Sequence, residues 1–184
     1  MRQRFVPDVT LLILALLLSF YGVAMVYSAG QTDVLTRVST LWQRQAVWFA
    51  FGLLAAYGVS RASLRMLDWV TPPLYAVTCV LLLLLVFIGK GFGTAASTKS
   101  WLAIGGFRIG QPSEIAKIVV VLMLAKVLAA RRDAPKSLVD LWQPALVVGI
   151  PWLLIMAQPD LGTGLVFIGI FFAMLFWSGV PLPL

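Results

Sequence analysis

The sequence alternates long apolar segments with short polar ones, and few folds accommodate such a pattern. The apolar segments cover about residues 9–29, 46–59, 71–88, 112–130 and 144–156, with a sixth ending near Gly179. A helix needs about 20 predominantly apolar residues to cross a bilayer. The pattern therefore predicts an all-α, polytopic membrane helix bundle of about six transmembrane helices. We expect it to form a single transmembrane domain over residues 1–184.

Composition excludes most alternatives to a membrane protein. Apolar residues make up 61% of the chain and charged residues 11%, whereas a soluble domain is about half apolar and a quarter charged. The net charge of +7 comes from basic residues scattered between apolar runs rather than from a dense patch, so nucleic acid is not an expected partner. The chain has no histidine and one cysteine, Cys79, which excludes a His-based triad, a CxxC metal site and an intrachain disulfide.

The distribution of lysine and arginine between the loops predicts a cytoplasmic N-terminus. In that orientation the cytoplasmic side carries seven basic residues: Arg2, Arg4, Arg61, Arg65, Arg131, Arg132 and Lys136. The outer side carries five: Arg37, Arg44, Lys90, Lys99 and Arg108. The first segment also has the basic start of a signal peptide, but its apolar run is long and more spans follow, so we expect it to be retained. The polar loop at about 89–113 and the turn at 159–162 are then both extracytoplasmic.

Ionisable residues near the outer end of the fourth helix are the first candidates for a functional site. Glu114 and Lys117 are three residues apart and hence share a helix face. They could simply complement the helix N-terminus and snorkel to the interface. Asp160 opens the sixth helix on the same side, where an N-cap is the simplest interpretation. Alternatively, the three side chains line one polar, outward-facing cavity.

Trp101 lies in the glycine-rich, basic loop between Lys99 and Arg108. A tryptophan near the interface is commonly an anchor, but backbone N–H groups of a glycine-rich loop can also bind phosphate. The residue is therefore either a membrane anchor or a platform for a ligand.

Two motifs resemble those of the SEDS family (shape, elongation, division and sporulation). The stretch from Ser100 to Lys117, with Gln111-Pro112-Ser113-Glu114 opening a helix, is similar to the family's signature, and Pro159 to Thr163 reads Pro-Asp-Leu-Gly-Thr. Met25 to Ala29 also resembles the end of the family's first helix. The chain departs from the family at 96–100, where the usual arginine before the tryptophan is missing.

The resemblance implies a peptidoglycan glycosyltransferase that polymerises lipid II, a disaccharide-pentapeptide on undecaprenyl pyrophosphate, on the outer face of the bacterial cytoplasmic membrane. It implies substrate-cavity residues at Trp101, Glu114, Lys117 and Asp160, and pyrophosphate binding by Lys99, Arg108 and Lys117. Glu114 and Asp160 would position Lys117 or bind a divalent cation such as Mg²⁺. The expected partners are membrane lipids and a class B penicillin-binding protein, which is a transpeptidase.

Family members have about ten spans, and the resemblance assigns the catalytic aspartate to an outer loop of their second half. The chain is therefore expected to be an N-terminal part of a larger fold, inactive by itself. A lipid-linked precursor flippase and a membrane scaffold for the transpeptidase remain alternatives. The motifs do not distinguish members of the family that act in cell elongation from those that act in division, although the general similarity favours the rod-shape branch.

Overall fold

The computed structural model describes residues 8–31, 37–91, 98–104, 107–131 and 137–180. Within them lie six α-helices: α1 Val9–Ala29, α2 Leu41–Ser60, α3 Leu64–Ile88, α4 Pro112–Ala129, α5 Trp142–Met156 and α6 Leu161–Trp177. Short 3₁₀ helices at Arg37–Thr40 and Leu138–Leu141 precede α2 and α5. The prediction of an all-α helix bundle is confirmed. One small antiparallel pair, β1 Leu102–Ile104 and β2 Phe107–Gly110, was not predicted.

Length and composition alone qualify three segments of the described chain as membrane spans: Val9–Ala29, Leu64–Ile88 and Val139–Met156. The remaining helices differ from these in identifiable ways. Helix α6 is apolar but has 17 residues, and α4 carries the charged side chains Glu114, Lys117 and Lys126. These charges make α4 the helix whose side chains most need polar partners.

Two helix starts differ from those that the sequence predicts. The sequence predicts that the third helix begins at about Thr71, with Pro72 and Pro73 in its first turn, but α3 begins at Leu64 and both prolines lie inside it. The sequence also favours Ser113 as the N-cap of the fourth helix, but α4 begins at Pro112 and Gln111 is its N-cap residue. The start of α4 is consistent with the preference of proline for the first helical position. The start of α3 was placed too late because the charged residues Arg65 and Asp68 interrupt the apolar pattern and resemble loop residues.

The described chain divides into two compact units, Met1–Ser63 and Leu64–Leu184. In the first unit, Asp8 caps α1 by accepting a hydrogen bond from the N–H of Leu11 at 3.1 Å. Edge-to-face contacts pair aromatic residues of α1 and α2: Phe20 with Phe49 at 5.4 Å and Tyr27 with Trp42 at 5.6 Å between ring centroids. No residue of α1 or α2 is buried, so their apolar side chains are available to lipid or to other helices.

The second unit, residues 64–184, has a dense apolar core formed by α3 to α6. Leu82, Val120, Ile155 and Phe167 contribute one side chain from each of these helices, and all four are fully buried. Helices α3 and α4 pack against each other, and α5 packs against both α4 and α6. This core holds the ends of four helices in fixed positions.

Prolines inside α3 and α5 leave backbone carbonyls that other helices satisfy. Proline has no N–H, so the carbonyl four residues earlier loses its helical partner. Upstream of Pro72 this carbonyl belongs to Asp68, and Lys126 of α4 donates to it at 2.7 Å while its Nζ lies 3.0 Å from the Asp68 carboxylate. Upstream of Pro151 it belongs to Val147, and the hydroxyl of Tyr75 donates to it at 3.0 Å. Both contacts join neighbouring helices and help to determine their register.

Candidate functional site

The described residues 89–91 and 98–101, between α3 and α4, lie against one end of the helix bundle, which we call the Pro112 end. Backbone hydrogen bonds join Lys90 and Trp101 in both directions, at 3.1 and 3.2 Å, and the N–H of Lys99 donates to the carbonyl of Gln158 at 3.2 Å. Gly89 makes this approach possible, since a Cβ there would collide with the carbonyls of Lys99 and Leu85. The loop segment is thus held against the ends of both α3 and α5.

Asp160 connects this loop to α4 and α6 through a single carboxylate. Its Oδ1 accepts the N–H of Thr163 at 3.0 Å, which caps α6. Its Oδ2 accepts from the hydroxyls of Thr163 at 2.9 Å and Ser100 at 3.1 Å, and from Nε2 of Gln111 at 3.3 Å. Ser100 is 1% exposed, so its hydroxyl depends on this bond. The predicted N-cap is present, and the same carboxylate also links three separate segments.

Gln158, directly before the Pro159-Asp160 turn, is fully buried beside this network. Its Nε2 donates to the carbonyl of Leu82 on α3 at 3.0 Å. Its Oε1 and the hydroxyl of Ser113, which is also fully buried, have no hydrogen-bond partner among the described residues. Buried polar atoms of this kind are uncommon and are often satisfied by water. The Pro112 end therefore contains more polar groups than the described part of the protein satisfies.

Glu114 and Lys117 form an ion pair on α4, with Nζ 2.8 Å from Oε1. The side chain of Glu114 is 59% exposed and that of Lys117 is 26% exposed. Because both partners belong to one helix, the pair adds nothing to helix–helix packing. A ligand could reach both side chains.

The other residues predicted to bind substrate, Lys99, Trp101 and Arg108, belong to the same end of the bundle, but the predicted site residues do not all contact one another. Lys99 is exposed and Trp101 is half-buried, while Arg108 lies on β2 with its side chain outside the described residues. Among the described side chains, no hydrogen bond or ion pair links Asp160 to Glu114 or Lys117. A cavity shared by all three stays a prediction.

The two acidic residues do not form a ligand set for Mg²⁺. Both oxygens of Asp160 already accept hydrogen bonds, and Glu114 is paired with Lys117. The described part of the chain has no group of three acidic, histidine or cysteine residues that could hold a metal ion. The residues present therefore fit a cation-binding role less well than an anion-binding one.

A small apolar cavity of about 170 Å³ lies between α3, the strand pair and the start of α4. Its lining consists of Thr78, Leu81, Leu102, Gly110, Pro112 and Ile115. Ile115 directly follows Glu114 in the sequence. An apolar cavity thus lies at the first turn of α4, the turn that also carries Glu114.

Sequence reasoning did not single out three residues that bind Asp160, namely Ser100, Gln111 and Thr163. All three belong to the two motif stretches. The roles of Ser100 and Gln111 depend on contacts with a residue 60 and 49 positions away, whereas Thr163 lies three residues from Asp160. The sequence feature that could have identified these residues is a hydroxyl or amide hydrogen-bond donor in each motif. A loop carboxylate that caps a helix usually has spare acceptor capacity for such donors.

Comparisons with known proteins agree with this architecture. The family model of the FtsW/RodA/SpoVE cell cycle proteins matches residues 8–184. Peptidoglycan glycosyltransferase RodA of Treponema pallidum is 33% identical over 177 residues, which are 96% of this chain and 40% of that protein. The crystal structure of the rod shape determining protein RodA of Thermus thermophilus matches with a TM-score of 0.80 at 30% identity, over 97% of this chain and 56% of that chain.

A further solved structure describes the structural coordination of polymerization and crosslinking by a peptidoglycan synthase complex. It matches with a TM-score of 0.74 and 31% identity, over 91% of this chain and 48% of that chain. This chain spans half or less of the length of the curated relatives it matches. Motifs, fold and similarity lead to one conclusion: the chain is an integral, polytopic membrane protein and belongs to the FtsW/RodA/SpoVE family of cell cycle proteins.

Proposed function

We propose that this chain is the N-terminal half of a peptidoglycan glycosyltransferase that polymerises lipid II. The observation that carries the proposal is the hydrogen-bond network around Asp160, which joins the two family motifs at one end of the bundle. The name of the Treponema pallidum relative supplies the reaction class. The polymerase activity belongs to a protein in which this half is combined with a second one.

Lys117 is the proposed contact for the pyrophosphate of lipid II. An exposed ion pair between residues three apart contributes only about 0.2–0.5 kcal/mol, so the pyrophosphate, which carries one negative charge on each of its two phosphates, can replace Glu114 as the partner of Lys117. A cation at this position stabilises the negative charge that develops as pyrophosphate leaves. Lys99 and Arg108 lie on the same loop and would extend the binding surface. Glu114 holds Lys117 in place when no substrate is bound.

Asp160 is proposed to act as a positioning residue rather than as a proton acceptor. Its two oxygens accept four hydrogen bonds from the protein, which leaves little capacity to take a proton from a sugar hydroxyl. Its effect is to hold the loop containing Trp101 against the start of α4. In that position the tryptophan would offer a sugar ring a stacking surface on the same side of the bundle as Lys117.

The polyprenyl chain of the substrate would begin in the apolar cavity beside Ile115, between α3 and α4. At about 170 Å³ this space holds only a few isoprene units, and the rest of the chain would extend along the bare aliphatic side of α3. The Pro112 end faces the outside of the cytoplasmic membrane in this proposal, as the basic loop residues predict. A class B penicillin-binding protein is the proposed partner, because the matching synthase complex coordinates polymerization with crosslinking.

The test compares two lysines of the same helix. In a protein that carries this chain together with the second half found in its relatives, we expect Lys117→Gln to lower polymerisation of purified lipid II roughly tenfold to a hundredfold. Lys126→Gln is the matched control, because Lys126 lies at the other end of α4 and pairs with Asp68. It should leave the length ladder of glycan products unchanged.

Equal ladders from the two variants would contradict the role of Lys117. Transport of labelled lipid II across vesicles without any lengthening of glycan would favour the flippase alternative instead. Normal polymerisation in both variants, combined with loss of transpeptidase recruitment, would favour the scaffold. For the chain alone we expect no polymer.

A further inference from the structure

The opposite end of α4, which we call the Ala129 end, contains a second and larger cavity. It has a volume of about 330 Å³ and lies between the end of α4 and the start of α5. Its lining consists of Val127, Ala130, Trp142, Gln143, Leu146 and Val147. Ligand pockets in proteins have volumes from about 300 Å³ upward. The size is therefore sufficient for part of a small molecule or lipid.

Arg131 is not itself a lining residue, but it directly follows the lining residue Ala130, and its guanidinium group is incompletely used. Its Nη2 donates to Oε1 of Gln143, a cavity residue, at 3.2 Å. Its Nε is buried and has no hydrogen-bond partner in the part of the chain that the structure describes. The ion pairs of the described residues join Lys117 to Glu114 and Lys126 to Asp68, and neither involves Arg131. A neutral amide does not compensate the charge, so the site combines a positive group with an apolar cavity.

We infer that this cavity binds one anionic phospholipid from the leaflet at the Ala129 end. The guanidinium would bind the headgroup phosphate, for which its planar donors are well suited. The first part of an acyl chain would occupy the apolar lining. Trp142, one of the lining residues, is 56% exposed, and tryptophan is enriched at the headgroup level of membranes.

Charge and lining together favour a lipid over other occupants. A soluble anion such as phosphate would use Arg131 but not the four aliphatic side chains of the cavity. A zwitterionic lipid would fill the cavity but gain less from the positive charge of Arg131. Basic pockets between membrane helices are known to bind anionic headgroups, and the surrounding bilayer supplies such lipids at high concentration.

A purely structural role for Arg131 accounts for only part of these observations. Its backbone N–H donates to the carbonyl of Leu128, and a positive charge near a helix C-terminus is favourable in any case. That role explains the position of the residue. It explains neither the buried Nε, to which none of the described residues forms a hydrogen bond, nor the cavity next to it.

The inference is tested by native mass spectrometry of the chain in detergent, after delipidation and incubation with an equimolar mixture of phosphatidylglycerol and phosphatidylcholine. We expect one molecule of phosphatidylglycerol to remain bound in preference to phosphatidylcholine with the same acyl chains. Arg131→Gln should lower the retained phosphatidylglycerol about fivefold, the effect of one basic residue at a membrane surface. Arg131→Lys should keep most of the retention. Leu146→Trp, which fills the cavity but preserves the charge, should also lower it.

Arg65→Gln is the matched control. Arg65 is an exposed cation on α3, three residues before Asp68. Because Asp68 pairs with Lys126 near the end of α4, Arg65 lies at the same end of the bundle as Arg131. An equal loss in Arg65→Gln and Arg131→Gln would reduce the effect to general surface charge and overturn the inference. If Leu146→Trp retained as much phosphatidylglycerol as the unchanged protein, the proposal that an acyl chain occupies the cavity would be wrong. Equal retention of phosphatidylcholine would overturn the preference for an anionic headgroup. Since this cavity lies at the opposite end of α4 from Lys117, these outcomes are independent of the proposed enzymatic function.

Discussion

The two ends of α4 each carry an ion pair, but the two pairs differ in what they stabilise. At the Pro112 end, Glu114 and Lys117 pair along one helix, and the tertiary contacts there converge on Asp160 instead. At the Ala129 end, Lys126 reaches across to α3 and binds both the carboxylate and the backbone carbonyl of Asp68. The first pair can exchange its partner for a ligand without disturbing the fold. The second stabilises helix packing.

An ionisable residue in a membrane helix is therefore not functional by position alone. Lys117 and Lys126 are nine positions apart in one helix and have similar exposure, 26% and 34% of the side chain. What separates them is the partner: an acid on the same helix or a carbonyl freed by Pro72 on another. Three pairs of variants test this contrast: the first compares the two ends directly, and the other two compare contacts of the Pro112 end with positions inside single helices.

The largest effect is expected from the acids of the two ends. Asp160→Ala removes the cap of α6 and leaves the buried Ser100 hydroxyl without its acceptor. We expect a loss of about 2–4 kcal/mol in the free energy of unfolding, measured as a lower thermal unfolding midpoint in detergent. Asp68→Ala should cost at most about 1 kcal/mol, because its carboxylate is 63% exposed and the Lys126 bond to its carbonyl can persist. Equal midpoints would contradict the central role of Asp160.

The next effect concerns the close approach of the loop to α3. Gly89→Ala places a Cβ against the backbone carbonyls of Lys99 and Leu85, neither of which can move without displacing its segment. We expect destabilisation of about 1–3 kcal/mol, as for other overpacked sites, together with faster proteolysis of the loop at 89–101. Gly149→Ala on α5 is the control, since its Cβ would meet no described atom within 4 Å. A Gly89→Ala variant as stable as Gly149→Ala would show that the loop tolerates displacement.

The smallest effect is expected from removing a threonine hydroxyl. Thr163 belongs to the Asp160 network, whereas the hydroxyl of Thr78 bonds within its own helix. Thr163→Val removes the hydroxyl that donates to Asp160 at 2.9 Å and should lower the free energy of unfolding by about 1 kcal/mol. Thr163→Ser keeps the hydroxyl and should recover most of it. The hydroxyl of Thr78 donates to the carbonyl of Leu74 in its own helix, which already has a backbone partner. Thr78→Val should therefore be close to neutral in the same unfolding measurement, and a loss matching that of Thr163→Val would remove the distinction.

The local sequence predicted some features of the site because their causes are local. Asp160 caps α6 as expected, since an acidic side chain before a helix accepts the free N–H groups of its first turn. The pairing of Glu114 with Lys117 follows from their spacing on one helix. The predicted start of α3 was wrong, because a membrane helix tolerates prolines and charges that normally signal a loop.

The length of the apolar segments was enough to establish that this chain forms membrane helices, since a bilayer requires both an apolar surface and internally satisfied backbone groups. Once α3 is seen to begin at Leu64 and α5 at Trp142, proline leaves the carbonyls of Asp68 and Val147 free, because that rule spans only four residues. That Lys126 and Tyr75 satisfy them became visible in the packed fold alone. The same holds for the meeting of Ser100 and Gln111 with Asp160. Such contacts join segments 49 to 76 residues apart, and packing of whole helices, rather than any local preference, brings their side chains together.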